Sequence, residues 1–277
     1  SQRLNKNAIN QLQIENCLRG ALENQELQLH FQPQMETATG RVVKFEALLR
    51  WQNPLLGFVS PDTFIPIAEQ TGLIDSIGDW VLYQALKQLR QWLDKGLAIE
   101  AVAVNLSGTQ LRQQGLARRV QKHLQTFALQ PHQLEIELTE SSLVGAYDSS
   151  YAVLQKIKRL GVQVTMDDFG TGYSSLAYLR DLPLSCLKID RSFIIDIGKH
   201  KNAERLIASI ISMAHELELT VVAEGIEEKE QAAYLTRLGC EYLQGYYFGR
   251  PIPGDAVFES LNADRKLSPA ALESVRQ

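Results

Sequence analysis

A regular alternation of short strand-like runs with longer amphipathic segments constrains the fold of this chain more than any other feature. The runs are rich in branched and aromatic residues and recur along most of the 277 residues. The strand candidates are Leu27–Pro33, Val42–Trp51, Ala101–Ser107, Leu134–Thr139, Val162–Asp168, Cys186–Asp190, Thr220–Gly225 and Tyr242–Phe248. The helix candidates between them are Asp75–Leu93, Leu116–Phe127, Tyr147–Leu160, Glu204–Leu217 and Lys229–Leu238. Eight strands alternating with helices predict an α/β fold, a TIM-like (β/α)8 barrel.

The first two strand candidates are connected differently from the others. A short turn around Thr39 and Gly40 joins them and leaves no room for a helix. Such a turn suits an antiparallel hairpin, because parallel neighbours need a long crossover. We therefore expect a barrel with an antiparallel first strand.

The two ends of the chain are expected to lie outside this barrel. Apolar residues at near-helical spacing predict a leading helix, and the chain begins without Met inside that polar pattern. We therefore expect a connector from an upstream domain at residues 1–25, a barrel at 26–261 and a polar tail at 262–277. No run reaches the ~20 apolar residues of a spanning helix. The segment is expected to be cytoplasmic and free of membrane contact, with any membrane anchor in segments missing from this chain.

Polar side chains share one face of several strand candidates. Side chains alternate along a strand, so Glu135 and Glu137 lie opposite Ile136. The residues that the same parity brings to the polar face near the strand ends are Glu46, Asn105, Glu137, Asp167, Lys188 and Glu224. Since the apolar face packs on the outer helices, these groups should converge inside the barrel, near its C-terminal mouth.

This convergence predicts a metal site. With Asp168, five carboxylates would crowd one rim, where they would repel each other and take up protons unless a cation were bound. A single acid at a strand end is more often a cap or a surface ion pair, so the agreement between strands carries the prediction. Oxygen ligands without Cys or His suit Mg²⁺ or Mn²⁺ and disfavour zinc.

Charge and cysteine content exclude other classes of function. The formal net charge of -4 argues against a partner such as a DNA or RNA polymer, which needs a clustered basic surface. A small anionic ligand is compatible, because bound metal ions offset its charge. The three cysteines stand apart from each other and from any His cluster, which suits a reducing compartment, and Cys186 and Cys240 are expected to be buried thiols.

An ordered set of motifs resembles the EAL-domain family. The motifs are Glu46-Ala47-Leu48 with Leu49-Arg50, Asn105-Leu106-Ser107, Glu137-Leu138-Thr139-Glu140, the run from Asp167 to Leu176, Lys188-Ile189-Asp190, Ala223-Glu224-Gly225-Ile226-Glu227 and Gln244-Gly245-Tyr246. Three letters alone are a weak signal, but this order over residues 26–258 is specific. The resemblance implies a barrel with an antiparallel first strand and a cyclic di-GMP-specific phosphodiesterase. Such an enzyme hydrolyses cyclic di-GMP to linear pGpG with two Mg²⁺ or Mn²⁺ ions.

The resemblance also implies roles for the acidic residues. Glu46, Asn105, Glu137 and Asp167 are expected to hold one metal ion. Asp167 would bridge to a second ion that Asp168 helps to hold. Asp190 is a weaker candidate for the metal environment.

Other matching residues are expected to act around the metal ions. Lys188 would position or activate the attacking water, and Glu224 would support that water as a base or from outside the ligand shell. Glu227 would brace the Asp168–Ser175 loop, whose glycines allow it to move as a gate or to form a rigid turn. The residues implied to bind substrate are Gln32, Arg50 and Gln244. Phe31 and Gln34 depart from the tyrosine and the aliphatic residue often seen in the family, a difference that removes no ligand.

Two alternatives to an enzyme remain at the sequence level. One is a catalytically silent receptor module that binds cyclic di-GMP, and the other is a protein-interaction scaffold. The complete carboxylate set, with Lys188, favours the phosphodiesterase. The resemblance further implies a homodimer and an upstream GGDEF or sensory domain in the full-length chain.

Overall fold

Ten strands join in one sheet within residues 2–143, 147–170 and 176–267, the ranges that the computed structural model describes. The strands are β1 (Leu27–Glu36), β2 (Arg41–Asn53), β3 (Gly57–Val59), β4 (Ala101–Asn105), β5 (Leu134–Thr139), β6 (Gln163–Phe169), β7 (Cys186–Ile189), β8 (Thr220–Ala223), β9 (Tyr242–Gln244) and β10 (Ile252–Pro253). The helices are α1 (Gln2–Gly20), α2 (Pro61–Thr71), α3 (Ile74–Asp94), α4 (Gly108–Leu111), α5 (Leu116–Thr126), α6 (Glu140–Leu143), α7 (Tyr147–Leu160), α8 (Leu176–Asp181), α9 (Arg191–Ile194), α10 (Lys201–Glu216), α11 (Lys229–Arg237) and α12 (Val257–Leu267).

Eight of these strands close into a barrel whose first strand is reversed. β1 pairs antiparallel with β2 on one side and with β9 on the other. The other barrel neighbours, in the order β2, β4, β5, β6, β7, β8 and β9, pair in parallel. The hairpin between β1 and β2 turns at Gly40, whose φ of +66° suits glycine. The predicted TIM-like barrel and its antiparallel first strand are therefore confirmed.

Apolar side chains fill the layer between the barrel and the helices. Val104, Ile136 and Leu187 are fully buried on their strands, and α3 contributes Leu86 and Trp92 to the same core. The barrel interior is left to polar groups. Those exposed by at most 9% are Gln32, Gln34, Glu46, Glu135, Glu137, Thr165, Asp167, Lys188 and Gln244.

An ion pair between Lys44 and Glu135 lies deep in the barrel, away from the C-terminal mouth. Lys44 Nζ lies 3.1 Å from Glu135 Oε2 and 4.0 Å from the centre of the Tyr242 ring. Thr165 donates its hydroxyl proton to the Glu135 carboxylate. These residues share the polar face that parity predicts, but they satisfy one another and form a structural floor.

The observed strands begin and end within a few residues of the sequence candidates, except at the last one. β9 ends at Gln244, before the predicted end at Phe248. Beyond it the chain turns back on itself, because Gly245 packs directly on the backbone of Ile226. A Cβ atom at position 245 would come 2.1 Å from the Ile226 carbonyl oxygen, so only glycine fits.

Both ends of the described chain are helical. α1 ends at Gly20, and its Ile14 and Leu18 are buried in the core. α12 continues past residue 262, where the sequence boundary between barrel and tail was set, and residues 268–277 lie outside the described ranges. None of the described helices is both long and apolar enough to span a membrane.

Candidate active site

One buried lysine lies at the centre of the polar cluster. Lys188 on β7 is fully buried, and its Nζ lies 2.5 Å from Glu224 Oε1 and 2.9 Å from Glu137 Oε2. The same atom lies 3.3 Å from Glu46 Oε2 and 3.5 Å from Asp167 Oδ2. The structure thus brings together side chains from five strands or strand ends, as the parity of the sequence predicts.

Glu46 is held by neutral amides as well as by the lysine. Asn105 Nδ2 donates to Glu46 Oε1 at 2.7 Å, and Gln244 Nε2 donates to Glu46 Oε2 at 2.6 Å. Burial alone would raise the pKa of Glu46, but Lys188 and these two amides outweigh it and hold the pKa below its usual value. Glu46 is therefore fixed as a charged group with a defined orientation.

A local irregularity in β6 turns two consecutive carboxylates toward the mouth. In a regular strand Asp168 would point away from the interior that Asp167 faces. Instead, the pairing with β7 shifts between Met166 and Phe169, and Asp168 adopts a left-handed φ of +54°. Its N–H donates to Asp167 Oδ1 at 2.8 Å. Oxygens of Asp167, Asp168 and Glu224 consequently lie within 4.8 Å of one another.

The cluster carries more negative charge than its lysine balances. Burial, reinforced by Glu46, raises the pKa of Glu137 well above its usual value. Burial and the adjacent Asp167 raise the pKa of Asp168 to about 6. Burial also raises the pKa of Glu224 to about 8, against the attraction of the lysine. Additional positive charge would relieve all three groups.

The donor atoms fit a hard divalent cation. Glu137 is fully buried, yet its Oε1 has no hydrogen-bond partner within the described residues. A buried carboxylate oxygen without a partner is costly, and a metal ion would satisfy it. The candidate ligands supply only carboxylate and amide oxygens, the set that Mg²⁺ and Mn²⁺ prefer.

Comparison with known proteins decides the family. The EAL domain family model matches residues 15–251. The chain belongs to the EAL-domain family. The bifunctional diguanylate cyclase/cyclic di-GMP phosphodiesterase MucR of Pseudomonas aeruginosa is 44% identical over 258 residues, which are 93% of this chain and 38% of MucR. The cyclic di-GMP phosphodiesterase NbdA of the same organism is 43% identical over 277 residues, 100% of this chain and 35% of NbdA. The chain thus spans little more than a third of these relatives.

Solved EAL structures resemble this EAL domain closely. A structure described as the PaMucR phosphodiesterase in complex with c-di-GMP has a TM-score of 0.83 and 44% identity, covering 88% of this chain and 99% of that one. The FimX EAL domain from Pseudomonas aeruginosa bound to c-di-GMP has a TM-score of 0.79 and 26% identity, covering 86% of this chain and 96% of that one.

The remaining candidate residues of the EAL domain lie around the cluster. Gln244 Nε2 also donates to Gln32 Oε1 at 3.1 Å, so both glutamines border Glu46. Arg50 is turned to the backbone, where its Nη1 donates to the Leu49 carbonyl at 2.9 Å. Asp190 Oδ1 accepts the Ser192 N–H and caps α9, which gives this weaker candidate a structural role.

The predicted contact between Glu227 and the loop after β6 falls largely outside the residues that the structure describes. Glu227 Oε1 lies 2.8 Å from Arg191 Nη2, while residues 171–175 of the Asp168–Ser175 loop lie outside the described ranges. The role of Glu227 in bracing that loop therefore stays a prediction.

Two further residues near the site were missed by sequence reasoning. Glu140 is 4% exposed, and its Oε2 accepts the Gly170 N–H at 3.2 Å, which anchors the chain just after Asp168. Gln34 donates through Nε2 to Gln244 Oε1 at 2.9 Å and thereby helps to orient the amide facing Glu46. Glu140 belongs to a quoted motif, and Gln34 shares the parity of Gln32, but neither signal alone assigned a role.

Proposed function

We propose that this EAL domain is a metal-dependent phosphodiesterase that hydrolyses cyclic di-GMP to linear pGpG. The convergence of Glu46, Glu137, Asp167 and Glu224 on one buried lysine carries the proposal, because such charge density suits cation binding. Relatives at 39–44% identity that are named as cyclic di-GMP phosphodiesterases support the substrate.

Two Mg²⁺ or Mn²⁺ ions are proposed at the acidic cluster. Glu46, Asn105, Glu137 and Asp167 would hold one ion, and Asp167 with Asp168 would hold the other. When bound, two such ions activate a water and stabilise the charge that develops during attack on phosphorus. The identity of the ions is part of the proposal.

Lys188 and Glu224 are assigned different catalytic roles according to their charges. The surrounding carboxylates raise the pKa of Lys188 well above its usual value despite burial, so Lys188 stays cationic. A cationic lysine can orient a water but cannot take its proton. Proton acceptance is assigned to Glu224, the most exposed of the four carboxylates that face the lysine, with 18% of its side chain accessible. Bound cations would lower its raised pKa and return it to the charged form that accepts a proton.

Substrate contacts are proposed for Gln32, Arg50 and Gln244. The Gln244 amide donates to both Glu46 and Gln32, and Arg50 offers a guanidinium suited to bidentate phosphate binding. We further propose that Glu227 braces the loop after β6, that the domain forms a homodimer and that a GGDEF or sensory domain precedes it. A cytoplasmic location is supported by the three free cysteines of the described chain.

Chromatography of reaction products tests the function. Purified chain is incubated with cyclic di-GMP and Mg²⁺ or Mn²⁺, and a matched sample contains a chelator. We expect pGpG only in the metal-containing sample. Nucleotide binding without product in either metal would favour the receptor alternative and would refute the proposed hydrolysis by this chain.

A further inference from the structure

A cavity at the barrel mouth contains an arginine that none of the roles above uses. The cavity has a volume of about 260 Å³, and its acidic wall includes Glu46, Asp167, Glu224 and Glu227. Arg191 is the one cationic side chain among the described residues that line it. An anionic substrate entering this acidic cavity meets that guanidinium near the opening.

Packing against Gly225 fixes the position of the Arg191 side chain. Its aliphatic part lies flat on Gly225, where a Cβ atom would come 2.2 Å from Arg191 Cγ and 2.4 Å from Arg191 Cβ. Gly225 also has a φ of +70°, which disfavours any other residue. Asp190 caps the short helix α9 that begins at Arg191. The Arg191 stem is therefore held on Gly225, and its guanidinium lies next to Glu227 among the residues that line the cavity.

The present partner of Arg191 is easily exchanged. Arg191 Nη2 lies 2.8 Å from Glu227 Oε1, and the two side chains are 54% and 46% exposed. Exposed ion pairs of this kind add little to stability, because water already solvates both charges. A phosphate group offers the guanidinium the same bidentate geometry as a carboxylate. Exchange of Glu227 for a phosphate thus requires little reorganisation.

Depth in the cavity separates Arg191 from the reacting centre. Lys188 and Glu137 of the acidic cluster are fully buried, whereas the Arg191 side chain is 54% exposed. A cyclic dinucleotide carries two phosphodiester groups on opposite sides of one ring. If one of them lay at the acidic cluster, the other would face the exposed edge of the cavity.

We propose that Arg191 leaves Glu227 and binds the phosphodiester group of the substrate that is not being cleaved. The inference rests on the proposed function and adds a substrate-binding residue to it. Glu227 then holds the guanidinium in place between turnovers, and Gly225 is required because the arginine stem occupies the space of a side chain.

Steady-state kinetics of Arg191→Gln and Arg191→Lys test the proposal with two substrates. For cyclic di-GMP we expect KM to rise about 10- to 100-fold in Arg191→Gln, the loss of a charge-assisted hydrogen-bonded pair, with kcat little changed. Arg191→Lys should recover part of the affinity. Hydrolysis of bis(p-nitrophenyl) phosphate, which has a single phosphodiester group, should be unchanged in both variants. Arg90→Gln, which breaks the surface pair with Asp94 on α3, is the matched control.

Other outcomes separate this inference from the proposed function. An unchanged KM for cyclic di-GMP in Arg191→Gln, with active wild type, overturns the role of Arg191 alone. Equal loss of activity on both substrates also overturns it, since that pattern places the effect at the reacting centre. If the wild type is inactive, the dissociation constant for cyclic di-GMP in Mg²⁺ replaces KM. A wild type that neither cleaves nor binds the nucleotide overturns both proposals.

Discussion

The side chains of this site include more negative groups than positive ones. Lys188 is one cation facing Glu46, Glu137, Asp167 and Glu224, and all five groups are largely removed from water. Each carboxylate depends on the lysine more than a surface pair would, because interactions between charges strengthen as water is excluded. The lysine therefore stabilises the four carboxylates in this arrangement.

Lys188→Met tests this dependence. The substitution leaves four carboxylates without their cation, so we expect the free energy of unfolding in a chelator to fall by about 3–5 kcal/mol. Added Mg²⁺ should recover more stability in the variant than it adds to the wild type. Thermal unfolding with and without Mg²⁺ measures both effects.

Lys44→Met is the matched control for that experiment. Lys44 is the other lysine inside the barrel, but it faces Glu135 on the structural floor, away from the proposed ligands. Its loss should lower stability and leave the stabilisation by Mg²⁺ equal to that of the wild type. An equal Mg²⁺ response in both variants would contradict the assignment of the carboxylates around Lys188 as the metal site.

At the scale of elements, the end of β6 determines where the Asp168 carboxylate points. The left-handed Asp168 is strained, at a cost on the order of 1–3 kcal/mol for such backbone conformations. The Glu140 carboxylate holds the following Gly170 N–H, and Phe193 of α9 packs against the same glycine. These contacts from two neighbouring elements keep the strained turn in place.

Gly170→Ala should disturb this turn and lower activity. Gly170 has a φ of +93°, and a Cβ atom there would come 2.5 Å from Phe193 Cζ. Gly198→Ala is the matched control, because its φ is +81° but no atom lies within 4 Å of the added Cβ. Both variants should lose about 1–2 kcal/mol from the backbone conformation, and only the first should lose hydrolysis of cyclic di-GMP. Loss of activity in both, measured at equal folded concentration, would refute the link between the turn and Asp168.

Part of this site could be predicted from the sequence, because several of its residues lie in regular strands. Glu46, Glu137 and Lys188 lie in regular strands, so parity alone brings them to one face. The orientation of Asp168 depends on a register shift, which no local pattern indicates. The contact between Gln34 and Gln244 depends on which strands meet when the barrel closes, so it too required the structure.

In the barrel as a whole, the reversed first strand determines which side chains lie next to Glu46 and Gln244. Because β1 pairs with both β2 and β9, it opposes Gln32 to Glu46 and Gln34 to Gln244. The reversed strand thus supplies two neutral amides, Gln32 next to Glu46 and Gln34 next to Gln244. The alternation of strands and helices predicted this architecture, whereas β3 and β10 were missed because each is only 2–3 residues long.

Counting the metal ions bound by the purified chain tests the proposed two-metal site. Equilibrium dialysis against Mn²⁺, followed by metal analysis, should give two ions per chain for the wild type. Asp168→Asn should retain about one, since it removes a charged ligand of only the second ion. A folded wild-type chain that binds no Mn²⁺ under conditions where cyclic di-GMP is hydrolysed would contradict metal-dependent hydrolysis at this cluster.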